Sequence, residues 1–146
     1  MAEGLDDIDR RILEELRADG RMSVRLLAER VRVSRANAYA RLERLTAGGV
    51  ITGYTVLTDP AKTGLATSAY VTLSMRQSAW RDVRERLRSI PQVRHMALVG
   101  GDFDVILLVR AADNAELRRL VLDELQAVPG VLATRTILIF EDLENR

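Results

Sequence analysis

The densest chemistry in this chain is cationic. Residues 21–56 hold seven arginines (21, 25, 30, 32, 35, 41, 44) against two acids, Glu29 and Glu43, a local excess of five positive charges. Guanidinium forks bind phosphate oxygens and read guanine edges. Over residues 1–20 the balance reverses to three arginines and seven acids, so the formal net charge of +1 hides a basic face behind an acidic first segment. Phosphate binding depends on where cations sit, so near-neutrality overall leaves double-stranded DNA open as a partner. A second candidate is Gly100-Gly101-Asp102-Phe103-Asp104. Its glycines let a ligand approach backbone N–H groups that can hold a carboxylate, and an aspartate there can hold an ammonium; the same residues also suit an ordinary hairpin turn with solvated acids. Little else suits catalysis. His95 is the only histidine, cysteine is absent, and no nucleophile–base pair or phosphate-cradling loop stands out. Acid–base catalysis, thiolate metal sites and disulfides find no residues, and we expect no enzyme, no metal and no cofactor.

The cations need elements to aim them. Ser23 caps a helix with Leu27 and Val31 inward, and after a three-residue turn Ser34 caps a second. That second helix, S-R-A-N-A-Y-A-R-L-E-R-L, puts Ala38, Leu42 and Leu45 on one face and Arg35, Asn37, Tyr39, Arg41 and Arg44 on others, until Gly48-Gly49 stops it. Two capped helices across a short turn, the second rich in arginine, make a helix-turn-helix whose second helix enters the major groove. Ser23, Ser34, Arg35, Ala36, Asn37, Tyr39, Ala40, Arg41 and Arg44 are the candidate DNA-contacting residues. Arg35 is placed to reach base edges, Arg41 to touch phosphate or brace the scaffold. Val50-Ile51-Thr52-Gly53-Tyr54-Thr55-Val56 reads as a strand beginning a wing. Ahead of the pair, Asp6 or Asp7 caps a helix with an Ile8, Ile12, Leu13, Leu16 stripe.

Thr58-Asp59-Pro60-Ala61-Lys62-Thr63-Gly64 is poor in apolar residues and carries both breakers, so the expected organisation is a winged helix-turn-helix over 1–57, a linker over 58–67 and a second domain over 68–146. That second half repeats itself. A strand (69–75), a helix (79–88) and the turn Ile90-Pro91-Gln92-Val93 are echoed by a strand (105–109), a helix (114–127) and the turn Val128-Pro129-Gly130-Val131 into a last strand (134–141), with the matching prolines 38 residues apart. Two βαβ units imply a ferredoxin-like βαββαβ sheet, an α+β class, with one open apolar face that a second copy would cover as an isologous dimer. No apolar run approaches 18 residues and no basic-then-apolar leader opens at Met1-Ala2-Glu3-Gly4, so we expect a cytoplasmic protein without a membrane partner.

These residues resemble the Lrp/AsnC family, the "feast/famine" transcription regulators. The resemblance rests on Leu5-Asp6-Asp7-Ile8-Asp9 with Ile12-Leu13, Asp19-Gly20-Arg21, Ser34, Arg41-Leu42 with Arg44-Leu45, Gly49-Val50-Ile51, Asp59-Pro60 with Gly64, Gly101-Asp102-Phe103-Asp104, Val128-Pro129-Gly130-Val131 and Thr134-Arg135-Thr136. It implies an N-terminal winged helix-turn-helix, a C-terminal domain that senses a small effector, usually an amino acid, and homodimers assembling into octamers or larger. It implies an effector site around the middle hairpin, at contacts between dimers: Gly100, Gly101, Asp102, Phe103 and Asp104, with Thr134 and Thr136 adding hydroxyls and Met96, Leu98 and Leu138 an apolar lining. On this reading Asp104 takes the ligand ammonium. The chain departs from the family at Val31-Arg32-Val33, where arginine replaces a common glycine in a turn that often needs positive φ. Siroheme decarboxylases share the family's fold but rely on histidine-containing and Asn/Met-containing motifs missing here. A ligand-independent, nucleoid-type DNA binder is the other reading the same helices permit.

Overall fold

The computed structural model describes residues 4–143, and the chain divides between Leu57 and Thr58 into two compact units. Met1 to Glu3 of the leader reading, and the last three residues of the expected second domain, lie outside the described residues.

The first unit holds three helices, α1 (Asp7–Ala18), α2 (Val24–Val31) and α3 (Arg35–Ala47). Each starts where a side chain satisfies orphan backbone N–H groups. Asp6 and Asp9 form a reciprocal capping box on α1, Ser23 accepts from the Leu26 N–H at 3.2 Å, and Ser34 accepts from the Asn37 N–H at 3.1 Å. Ile12, Leu27, Val31, Ala38 and Leu45, the stripes the periodicity selects, are buried, with Met22 beside them. Between α2 and α3, Arg32 adopts the left-handed conformation (φ 59°, ψ 51°). The expected wing strand is absent. The Val50 and Ile51 N–H groups both bond to the Leu45 carbonyl, and 52–58 form no ladder among the described residues. A wing strand needs a partner strand. The next segment instead turns at Pro60 into a 3₁₀ helix, Ala61–Thr63, leaving Tyr54, Val56 and Leu57 exposed.

The second unit runs β1 (Thr67–Met75), α4 (Trp80–Arg88), β2 (Val93–Leu98), β3 (Val105–Ala111), α5 (Asn114–Arg119) continuing as a π-helical turn (Leu120–Leu125), and β4 (Val131–Ile139). The sheet order is β2-β3-β1-β4, every neighbouring pair antiparallel. Each βαβ crossover therefore leaves room for a strand between its own two, the split βαβ arrangement the repeat implies. Strict alternation settles the faces. Ala69, Val71, Leu73 and Met75 of β1 and Val105, Leu107, Val109 and Ala111 of β3 are buried under Val83, Leu87, Leu117, Leu120 and Leu125 of the helices. Each valine, leucine or methionine side chain among these contributes about 1.5–3 kcal/mol by leaving water. The other face carries Tyr70, Ile106, Leu108 and Ile137 with no helix over it, and Tyr70 and Ile137 remain 40% and 48% exposed.

Candidate DNA interface and effector site

Helix α3 presents Arg35, Ala36, Asn37, Tyr39 and Ala40 to solvent, and the Tyr39 ring is 61% exposed. Ser23 and Ser34 act as caps that fix where α2 and α3 begin. Arg41 and Arg44 are differently engaged. Arg41 Nη1 lies 2.7 Å from Asp6 Oδ2 and 2.8 Å from Asp9 Oδ1, its Nε donates to Asn37 Oδ1 at 2.8 Å, and Arg44 Nη2 lies 2.7 Å from both Asp9 oxygens. Asp9 is 1% exposed. Burial alone would raise its carboxyl, but hydrogen bonds from Arg44 and Arg41, with the Asp6 backbone N–H, hold it at about 2. The Asp9 N–H and then the Arg41 guanidinium lower Asp6, and the carboxylates of Asp6 and Asp9 raise Arg41. Of the two roles expected for Arg41, phosphate contact or scaffold brace, the geometry shows the second: its side chain is 18% exposed and braces α3 against α1. Arg44, 42% exposed, shares that brace. The sequence carried one signal of this. Asp9 falls on the α1 stripe with Ile12 and Leu16, and a carboxylate on a buried stripe demands cations across the interface.

Within one chain the expected effector residues do not all converge on a single pocket. In the register, Thr134, Thr136 and Leu138 face Leu73, Val71 and Ala69, which puts them on the helix-covered side of edge strand β4. Met96 and Leu98 face Leu107 and Val105 on the same side, but on β2, the opposite edge. Three interstrand spacings, roughly 14 Å, separate the two sets, so Met96, Leu98 and Leu138 of one chain cannot line one site. Thr134 is also occupied, accepting from Gln126 Nε2 at 3.0 Å. Asp104 is engaged by the fold as well. Its Oδ2 accepts the Met75 N–H at 2.8 Å, its own N–H donates to the Leu73 carbonyl at 2.9 Å, and its carbonyl accepts from the Val99 N–H at 2.8 Å. It closes the end of the β1–β3 ladder. Gly101 turns the hairpin with φ 133° beside the exposed Gly100.

Asp102 and Phe103 do meet a cleft. It has a volume of about 270 Å³ and is lined also by Thr134, a third expected effector residue, and by Thr72, Ser74, Ala133, Arg135 and Ile137. Thr72, Ser74, Ala133, Arg135 and Ile137 belong to the uncovered face, and sequence reasoning missed them as lining. The signal was available in the i, i+2 polar pair Thr72 and Ser74, opposite Arg135 and Ala133 in the antiparallel register. The cleft offers one carboxylate, one guanidinium, hydroxyls and an aromatic edge. Among the described residues no cluster of potential metal ligands occurs, and no helix is long and apolar enough to cross a membrane.

A capped helix pair with exposed Arg35, Asn37 and Tyr39, joined to a ferredoxin-like unit with a polar cleft, defines a DNA-binding regulator with a ligand-binding domain. Comparison with known proteins agrees: residues 5–52 match the winged helix-turn-helix DNA-binding profile and residues 68–146 the Lrp/AsnC ligand binding domain. The chain belongs to the Lrp/AsnC family of transcriptional regulators. It is 39% identical to the HTH-type transcriptional regulator AldR of Mycolicibacterium smegmatis, over 99% of this chain and 86% of that one. It is 36% identical to the proline dehydrogenase transcriptional activator of Rhodobacter capsulatus, over 97% and 94% of the two chains. Among solved structures, a transcriptional regulator of Neisseria meningitidis in complex with L-Met superposes with a TM-score of 0.91 at 27% identity, covering 97% of this chain and 94% of that one.

Proposed function

We propose that this regulator responds to an amino acid bound in the cleft beside the Gly100–Gly101 hairpin, with Asp102 receiving the ammonium and Arg135 the carboxylate. The observation that carries the reading is the pairing of one acid and one base across a cleft sized for a small zwitterion. The L-Met bound by the Neisseria regulator supports the ligand class. Asp104 positions the hairpin through the Met75 N–H and leaves the ligand contact to Asp102.

The uncovered face supplies the assembly. Arg110 is the cation of β3 on that face; it is neutralised by Asp142 at 2.9 Å and donates to the Ser68 hydroxyl at 2.8 Å, which leaves Tyr70, Ile106, Leu108 and Ile137 as an apolar patch suited to a second copy. Two sheets back to back form a homodimer, from which higher oligomers such as octamers are built. The cleft opens on the same face, so a ligand there is enclosed by assembly and shifts it by its differential affinity. The protein acts in the cytoplasm on double-stranded DNA, and its work is binding rather than catalysis.

A thermal-shift screen of the twenty amino acids, with and without duplex DNA, tests this. A ligand that binds the native state raises its stability by mass action, so one or a few amino acids should raise Tm. Asp102→Asn and Arg135→Gln should each abolish that rise. A wild type stabilised by no amino acid, yet binding DNA, would leave the nucleoid-type reading.

A further inference from the structure

Among the described residues, Arg32 is the only non-glycine with positive φ. Its turn is complete without the side chain, since the Arg32 N–H reaches the Glu29 carbonyl and the Val33 N–H the Ala28 carbonyl at 3.0 Å. A left-handed residue here is best served by glycine, or by asparagine, because any larger side chain crowds its own carbonyl. Arginine sits there strained and exposed. Backbone strain of this kind is held in place by the surrounding fold and gathers at functional sites.

The partners of the other cations sharpen the question. Arg25 pairs with Glu29 at 3.6 Å, Arg30 with Glu15 at 2.7 Å, and Arg41 and Arg44 with Asp9. Of the seven arginines in residues 21–56, only Arg21, Arg32 and Arg35 have no carboxylate partner among the described residues. Arg32 stands two residues before the Ser34 cap, at the end of α3 that enters the groove, where the flanking phosphates pass.

We propose that Arg32 is a DNA phosphate contact, retained at the turn for its charge in spite of its backbone conformation, and that Arg41 and Arg44 do not fill this role. The proposal rests on DNA binding by the helix pair. Each phosphate neutralised by a cation contributes about 0.9 to the slope of log K against log salt, which at about 0.1 M salt is roughly eightfold in affinity per bound protomer.

The test uses the full chain, a mixed-sequence duplex of about 30 base pairs, and KCl from about 0.05 to 0.3 M, the range over which counterion release is read. Arg32→Gly should raise Tm, because the turn is relieved, while lowering affinity about eightfold and the salt slope by about 0.9 per protomer. Arg32→Asn, which tolerates the backbone without the charge, should lose the same affinity and slope. Arg32→Lys should keep the slope. A role confined to folding would move stability and binding in the same direction, so their opposite movement is the diagnostic. Unchanged affinity and slope in Arg32→Gly would overturn the proposal, as would a fall in Tm that accompanies weaker binding. Absence of DNA binding in the wild type would instead overturn the premise, and that arm is measured first.

Discussion

Replacing Asp9 with asparagine keeps the size of the side chain and removes the charge that holds Arg41 and Arg44. In the native state the carboxyl is held at about 2 against an ordinary value of 3.8. At about 1.4 kcal/mol per unit, that shift corresponds to roughly 2 kcal/mol of stability. Breaking a fully buried ion pair costs about 3–5 kcal/mol because a charge is stranded. Here Arg44 is 42% exposed and turns to water, whereas Arg41 at 18% cannot do so as freely, so the expected loss for Asp9→Asn is roughly 2–3 kcal/mol. The sign against pH follows from the direction of the shift. A lowered carboxyl stabilises fully above its unfolded value, and the contribution is lost as pH falls through the folded value. The gap between wild type and variant should therefore be constant at neutral pH and close between about pH 4 and 2. Hydrogen exchange on the full chain at neutral pH localises the effect. Amides of α1 and α3 should lose about thirtyfold or more in protection, while those of β1 and β3 serve as an internal reference. Unchanged protection in α1 and α3, or an equal drop in the sheet, would show that the Asp9 cluster does not brace the recognition helix.

Asp104→Ala leaves the Met75 N–H without its acceptor, so thermal unfolding followed at Trp80 should show a loss of about 1–3 kcal/mol, and Asp104→Asn, which keeps an acceptor oxygen, should recover most of it. Gly130→Ala meets both a φ of 99° and a Cβ clash with Ala79, and the same assay should register a loss of about 2–4 kcal/mol; a change within about 0.5 kcal/mol would mean the turn can move away. Ser34→Ala removes the cap of α3 and should cost about 1 kcal/mol, read as reduced protection of the Asn37 amide, with Ser34→Asp restoring it.

Elements announced by local chemistry were legible in the sequence. The serine and aspartate caps set the starts of α1, α2 and α3, and the two-residue alternation of β1 and β3 set the buried face, because both signals act within a few residues. What escaped was set by distant partners. Val50 to Val56 has strand propensity, but a strand exists only with a neighbour, and Pro60 removes the nearest one. Arg41 and Arg44 look like free cations along α3 until Asp9, more than thirty residues earlier, is folded against them. Met96, Leu98 and Leu138 are a case of another kind. The βαββαβ order already places the second and last strands on opposite edges, so topology excludes a shared lining within one chain and leaves one built between copies. The π-helical turn at Leu120–Leu125 left no mark in the helical pattern of residues 114–127.

The central position of β1 also sets a timetable for synthesis. Its register on β3 ends at Leu73 opposite Val105, but on its other side Ser68 faces Ile139. One flank of the middle strand therefore stays unpaired until some seventy later residues have been translated, whereas every helix of the first unit is complete by Ala47. The DNA-reading unit can finish folding on the ribosome while the second unit still presents an apolar strand with open hydrogen-bonding groups. During that interval the nascent chain is open to mispairing with another copy, and a chaperone that covers extended apolar segments has its window there.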